Sequence, residues 1–452
     1  MSVPTTALDP ARVRRARIAV SAFFLTNGAL YANLLPRLPE VKDAFGLSNT
    51  LYGLVVVAFP LGAILVGALP ARAIRRFGSG RVAALGTVLL SGCLAAAGAG
   101  AGLGAGTGPG VGVFLAAMFL GGALDAHVDT AQNAQGMEVQ RARGRSIINS
   151  LHALWSLGAV AGGLMGTAAL ALGVPLGWHL PASGIVWSAV ALVALRSALS
   201  PAEGRGLRTV GPDDPLPEGT HRDDPLPDDP CPDGTSSDST TTTDPGAAGS
   251  RPDPDPGRGG TGQPSAGRIV VVSLLPVAVI AMAGVMVEDA GQNWSAVYLS
   301  TELGAPLAAA GLGLVALMAA QFVGRMLGDP MTDRWGRAEV ARAGAALSAA
   351  GMLLVVLAPV PAAAVAGFAL AGFGCATLVP AAFHAADDIP GLRTGTGLAL
   401  VSWLMRISFL GLSPAIGVLS DAVGLRAALV VVPVFAVVAA LMAGVLRERR
   451  AP

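Results

Sequence analysis

Twelve apolar runs, each about as long as a bilayer is thick, dominate this chain and leave few folds open to it. Windows of about 19 residues place six of them near 18–36, 51–70, 81–102, 111–135, 146–172 and 179–199. The other six fall near 269–291, 308–328, 339–359, 361–383, 394–419 and 426–446. None shows the strict alternation of a membrane β-strand. Only 13% of the 452 residues are charged and mean hydropathy is +0.61, about half the charge of a soluble domain. The 60 glycines suit helices that pack inside lipid, where small residues let backbones approach. The pattern predicts an all-α polytopic membrane protein with twelve transmembrane helices. The basic start, Arg12 to Arg17, together with the first run is read as an uncleaved first span, because no small-residue cleavage site follows it.

The gap between the two sets of six is made of other material. Residues 201–267 contain 13 Pro, 11 Asp and 2 Glu against five Arg, a Thr run at 240–243, and DDPLP twice. The net charge of this segment is −8, which leaves +9 on the rest of the chain. Such a composition cannot bury a core and predicts a disordered acidic linker. The expected organisation is therefore a six-helix half at 1–200, a linker at 201–267 and a second six-helix half at 268–452. The linker reads as a tether, or else as a regulatory or partner-binding segment.

Arginine distribution predicts orientation. With the N-terminus inside, the inside segments hold Arg12, Arg14, Arg15 and Arg17, then Arg72, Arg75, Arg76 and Arg81, then Arg141, Arg143 and Arg145. Arg334, Arg337, Arg342, Arg393, Arg447, Arg449 and Arg450 follow on the same side. The outside segments hold little beyond Arg37, Lys42 and Arg426. An even number of spans then puts both termini in the cytoplasm. The halves echo each other: IRRFGSGRVAALG at 74–86 and TDRWGRAEVARAG at 332–344 both lie between the second and third spans of their half. A parallel repeat of this kind places a substrate site at the interface, near the midplane.

Polar groups inside the spans are the candidates for function, because a charge at the bilayer centre costs about 2.5–3.5 kcal/mol on insertion scales. The richest stretch is Gly121–Gly163. In it Asp125, Asp129, Gln132, Asn133 and Gly136 fall at i, i+4, i+7, i+8 and i+11, one stripe of a helix. A proton-coupled carrier needs a group whose charge can change inside the membrane, and burial and neighbouring charges set when it changes. Asp125 and Asp129 fit that need; the alternative is that they only tie helices together. His127 lies on another face and is read as structural. Glu138 is expected to pair with the inside arginines in solvent. His152 and Asn149 share a face, and Gly158 and Gly162 read as close packing. Arg406, near the centre of the eleventh span, does not shed its proton. It calls for an acid partner, an anionic substrate or a wet cavity. Trp403, one turn away, offers a stacking face or a packing surface. Glu288 and Asp289 are expected towards the outer end of the seventh span, as a gate or substrate contact, with Trp294 as an interfacial anchor.

Several of these residues resemble the major facilitator superfamily. Asp333-Arg334-Trp335-Gly336-Arg337 is similar to the family's D-R-x-G-R loop after the second span of a half. The first half carries Ala71-Arg72 in its place. The resemblance implies that Asp333, Arg334, Gly336 and Arg337 form a gating latch that breaks when the halves rock. A narrower likeness is to the fucose-permease-like branch. Asp129-Thr130-Ala131-Gln132-Asn133 is similar to its fourth-span motif, and His152, Ser156 and Gly158 to its fifth-span H-x-x-x-S-x-G. Segments 288–300 and 372–383 are also similar. The resemblance implies that Asp129 is proton-coupling. In the first span, where the branch has a carboxylate, this chain has Asn27.

The expectation is a secondary transporter with the major facilitator fold, two pseudo-symmetric six-helix halves, working by alternating access. Asp129 and Asp125 carry protons in that reading. Asn133, Asn27, His152, Glu288, Trp403 and Arg406 bind a small polar, sugar-like molecule. Proton-driven efflux of a drug or metabolite is the alternative in the same class, and a non-transporting membrane sensor that uses 201–267 is the alternative in another. No nucleophile–base constellation points to an enzyme. No cofactor is expected, and no metal: Cys93, Cys231 and Cys375 form no ligand spacing, and His384, Asp387 and Asp388 read as a solvated loop. The expected partners are a small-molecule substrate, protons and the lipid bilayer, with no nucleic acid. The expected state is a monomer in the plasma membrane.

Overall fold

The computed structural model describes residues 8–66, 69–103, 108–145, 147–204, 274–387, 389 and 396–446. The chain divides into two compact units, residues 1–209 with 266–452, and residues 210–265. The second unit and most of the acidic gap lie outside the described residues, as do Asp388 and Arg393. No strand occurs among the described residues.

In chain order the long helices of the first group are α1 (Pro10–Ala32), α2 (Asn49–Leu65), α3 (Leu69–Phe77), α4 (Ser79–Gly102), α5 (Gly108–Arg143), α6 (Ile148–Ala171) and α7 (Leu176–Leu195). The second group is α8 (Leu275–Thr301), α9 (Leu307–Trp335), α10 (Arg337–Leu357), α11 (Pro361–Ala386), α12 (Thr396–Val423) and α13 (Leu425–Leu446). Among the described residues eleven helical segments are long and apolar enough to cross a membrane, and α2 with α3, inclined at 59°, makes a twelfth. The expected second span is thus a bent pair. Helix α1 starts eight residues before its apolar window, because Asp9 caps it by accepting from the Ala11 amide at 3.2 Å and Pro10 fits its first turn.

Helix α8 corrects the sequence reading most. It does not stop near 291 but passes through a π turn at Ala290–Trp294 and continues to Thr301. Glu288 and Asp289 therefore sit in mid-helix rather than at its outer end. Trp294 is fully buried and is no interfacial anchor.

Within the first group, α1 lies on α6 with almost no space between them. A Cβ on Gly28 would come within 2.0 Å of the Trp155 carbonyl oxygen, and one on Gly158 within 2.1 Å of that of Leu25. Small residues let these backbones touch, as expected for Gly158. The two helix groups join along α2 with α12 and α6 with α9. Tight contacts along these seams gather at the end that carries residues 33–50, 302–311 and 420–424, called here the closed end. There Gly53 faces the Ser413 carbonyl oxygen and Gly311 faces Thr167 and Pro36.

Candidate functional site

A connected set of polar side chains lies halfway along α1, α5 and α6. Asn27 of α1 is its centre and is only 5% exposed. Its amide Nδ2 donates to Asp125 Oδ1 of α5 at 2.7 Å. Its Oδ1 accepts from Gln132 Nε2 at 3.2 Å and from Trp155 Nε1 of α6 at 2.9 Å. Gln132 Nε2 also lies 3.2 Å from Asp129 Oδ1, and Asn133 Nδ2 donates to that same oxygen at 3.2 Å and to the Asp129 carbonyl at 2.9 Å. Asp125, Asn27, Gln132, Asp129 and Asn133 therefore form one hydrogen-bonded string. The predicted stripe on α5 provides four of its five members, and helical spacing is what aligns them. An Asn suits the middle position because one amide both donates and accepts.

Asp129, in the middle of α5, and His152, in the second turn of α6, are both exposed, so an accessible space reaches both. His152 packs edge-on against the Phe24 ring at 5.3 Å between centroids. It interacts electrostatically with Asp129 and with Arg325 of α9. Arg325 Nη1 donates to Ser156 Oγ at 2.8 Å, and its Nη2 lies 3.6 Å from Glu288 Oε1. The latter distance is an ion pair but too long for a hydrogen bond. Arg325 thus ties the first helix group to the second at the level of the string.

A third cluster sits where α8 meets α12, towards the closed end. Asp289 is 1% exposed. Its Oδ1 accepts from Asn293 Nδ2 at 2.8 Å and its Oδ2 from Ser413 Oγ at 2.7 Å. Trp294 Nε1 donates to the same Ser413 hydroxyl at 3.1 Å. Tyr52 of α2 donates from its hydroxyl to the Asn293 carbonyl and meets the Trp294 ring edge-on at 5.0 Å. Tyr31, stacked on Phe59, is within electrostatic reach of both Asp125 and Asp289.

Of the sequence candidates, Asn27, Asp125, Asp129 and Asn133 are brought together, and Glu288 and His152 lie near them through Arg325. Trp403 and Arg406 are exposed on α12, and neither joins the string. Arg406 makes no hydrogen bond or ion pair with any described residue. The Asn149 side chain lies outside the described residues. In the expected latch, Asp333 is exposed at the end of α9 without a partner among the described residues. Arg334 lies over the Trp335 ring at 5.6 Å. Gly336 takes φ 83°, which lets α9 turn straight into α10, where Arg337 begins the next helix. Glu138 is a correction: it is 3% exposed, with Ser79 Oγ 3.0 Å from Oε2, and is buried rather than solvated. His127 accords with its structural reading, its Nδ1 lying 2.7 Å from the Ala123 carbonyl. No cluster of metal-binding side chains occurs among the described residues.

Sequence reasoning missed Arg325, Trp155, Ser413 and the burial of Asp289. Arg325 did leave a signal, a lone arginine inside the apolar run 308–328, the same signal that singled out Arg406.

Comparisons with known proteins agree with this architecture. Residues 274–452 match the family model of the Major Facilitator Superfamily. The chain is 29% identical over 434 residues to an uncharacterized transporter, y4wD, of Sinorhizobium fredii, covering 95% of this chain and 97% of that protein. The structure is similar to that of a D-xylose-proton symporter, with TM-score 0.65 and 16% identity over 97% of this chain and 98% of that one. It is similar also to that of the nucleoside transporter NupG, with TM-score 0.62 and 10% identity over 96% of this chain and 100% of that one. At these identities the structural likeness is one of fold.

Proposed function

We propose that the chain is a member of the major facilitator superfamily and that it moves a small polar, sugar-like molecule across the plasma membrane by alternating access coupled to protons. It is a transporter rather than an enzyme, and a polytopic membrane protein. The observation that carries the finer reading is the string Asp125–Asn27–Gln132–Asp129–Asn133. It joins one carboxylate that is partly enclosed to another that an accessible space reaches, through amides that both donate and accept. A proton taken up at Asp129 alters the hydrogen bonds of every member, and hence the packing of α1, α5 and α6. Opposite the string, Arg325 and Glu288 of the second group offer a donor fork and an acceptor, which suits a hydroxyl-rich ligand. The monosaccharide and nucleoside specificities of the two structural neighbours share that chemistry.

In this reading the halves 1–200 and 268–452 rock about the seams, the acidic segment 201–267 tethers them, and both termini face the cytoplasm. The arginine distribution supports that orientation. Asp333 to Arg337 latch the end opposite the closed one.

Reconstitution into proteoliposomes tests the proposal. Labelled D-xylose and uridine are offered separately under an imposed pH gradient. Accumulation of one of them that a protonophore collapses, and that Asp129→Asn removes, is the expected result. The direction of the coupled proton movement separates uptake from efflux. Flux that ignores both the gradient and Asp129→Asn overturns proton coupling. Absence of flux for both probes overturns the sugar-like substrate class.

A further inference from the structure

The closed end carries a contact that no loop motif announces. Helix α2 begins with Ser48 as its cap, and the Ser48 hydroxyl accepts from the Leu51 amide at 3.2 Å. That leaves the first two amides of the helix, those of Asn49 and Thr50, without a partner in their own group. Asp421, on α12 of the other group, takes both: Oδ1 lies 3.0 Å from Asn49 N and Oδ2 lies 2.8 Å from Thr50 N. Asn49 Nδ2 donates in return to Ser420 Oγ at 2.8 Å. A carboxylate aimed at a helix N-terminus gains from the partial positive charge there as well as from the two hydrogen bonds. The backbones are in contact on both sides of this pairing. A Cβ on Gly417 would lie 2.4 Å from the Asn49 carbonyl oxygen, and one on Gly53 would lie 2.4 Å from that of Ser413.

We propose that Asp421 is the residue that holds this end of the transporter shut, by capping α2 from the opposite helix group. The cap exists only while α2 and α12 touch. Parting them returns two amides and a carboxylate to water together, so the cap favours the closed state specifically. Removing it leaves each helix group intact, because Ser48 still caps α2. Asp421 is exposed, so the contact feels dissolved salt. The inference depends on neither the substrate nor the proton.

Distance measurement tests it without a ligand. Spin labels are placed on cysteines introduced at Asp43 and Glu302, exposed positions on opposite groups at the closed end. The full chain is used, with Cys93, Cys231 and Cys375 changed to alanine. The expected result is that Asp421→Ala and Asp421→Asn raise the ratio of long to short distances about two- to five-fold, the range for a charge at a helix terminus. Raising salt from about 0.05 to 1 M, which shortens the screening length several-fold, shifts the parent protein the same way and leaves Asp421→Ala unmoved. Unchanged distances in Asp421→Asn, or an equal salt response with and without the carboxylate, overturn the proposal. Should the alanine variant aggregate, the asparagine variant and the salt titration of the parent decide the matter.

Discussion

Replacing Gly28 by alanine adds one methyl group where α1 has no room for it. The new Cβ would lie 2.0 Å from the Trp155 carbonyl oxygen and 3.1 Å from the Ala159 amide nitrogen. A carbon settles against a carbonyl oxygen at about 3.3–3.6 Å, so the two helices must part locally by about 1.3 Å. Both atoms are backbone, and no rotamer change relieves the clash. Trp155 Nε1 now lies 2.9 Å from Asn27 Oδ1. The displacement carries it beyond hydrogen-bond range. Asn27 keeps its bonds to Asp125 and Gln132 on α5, so the string survives while α6 detaches from it. Overpacking costs about 1–3 kcal/mol, and an indole N–H left buried without a partner costs about 1–3 kcal/mol more. The assay is the thermal melting of purified Gly28→Ala, Trp155→Phe and the double variant. A lower melting temperature for Gly28→Ala is expected. The double variant should fall short of the sum of the singles, because both changes remove the same bond. A Gly28→Ala protein that melts with the parent, or a cycle that is strictly additive, refutes the link between the glycine contact and the string.

Ser413→Ala should destabilise by about 1–3 kcal/mol, because Asp289 Oδ2 and Trp294 Nε1 share that hydroxyl; an unchanged melting curve counts against it. Arg325→Ala should lower the melting temperature more than the double variant with Glu288→Gln, which removes the acid left without its cation; equal or greater loss in the double variant contradicts the pairing. At the end of the first half, partial burial alone would raise the Glu203 carboxyl, but hydrogen bonds from Arg12 and Ser200 outweigh that and hold it below its usual range. Its contribution is therefore present above the unfolded carboxylate value and fades as pH falls through the lower folded one. Glu203→Gln should flatten the acid limb of the stability profile, and a profile that keeps its shape argues against this role.

Apolar length and arginine placement made the spans legible, since both are properties of single segments. The α5 stripe was legible for the same reason: Asp125, Gln132, Asp129 and Asn133 share one helix, and spacing alone puts them on one face. Asn27 stood out because a polar residue in mid-span is rare. What the spacing could not provide was pairing between helices. Nothing in 148–171 says that Trp155 reaches Asn27, and nothing near 413 says that a serine will hold Asp289 and Trp294. Glu138 was misjudged because proximity in sequence to Arg141 and Arg143 resembles solvated pairing, whereas the fold turns it against Ser79. Nothing in the sequence singles out Asp421, because its partners are backbone amides 371 and 372 residues away.

The π turn of α8 has a consequence for what can be read from that span. In an α-helix, residues five apart point about 140° away from each other, at 3.6 residues per turn. In a π turn they stack, because each carbonyl meets the amide five residues on. Asp289 and Trp294 are five apart, and both reach the Ser413 hydroxyl. The helix therefore has two phases: one wheel orders Leu275–Asp289 and another orders Ser295–Thr301. Deleting Gly291 would leave Asp289 and Trp294 four apart on a continuous α-helix, a spacing that also puts them on one face. The π turn thus lets the span hold one more residue while Trp294 stays on its hydroxyl and Tyr298 on the Val355 carbonyl that it meets at 2.8 Å.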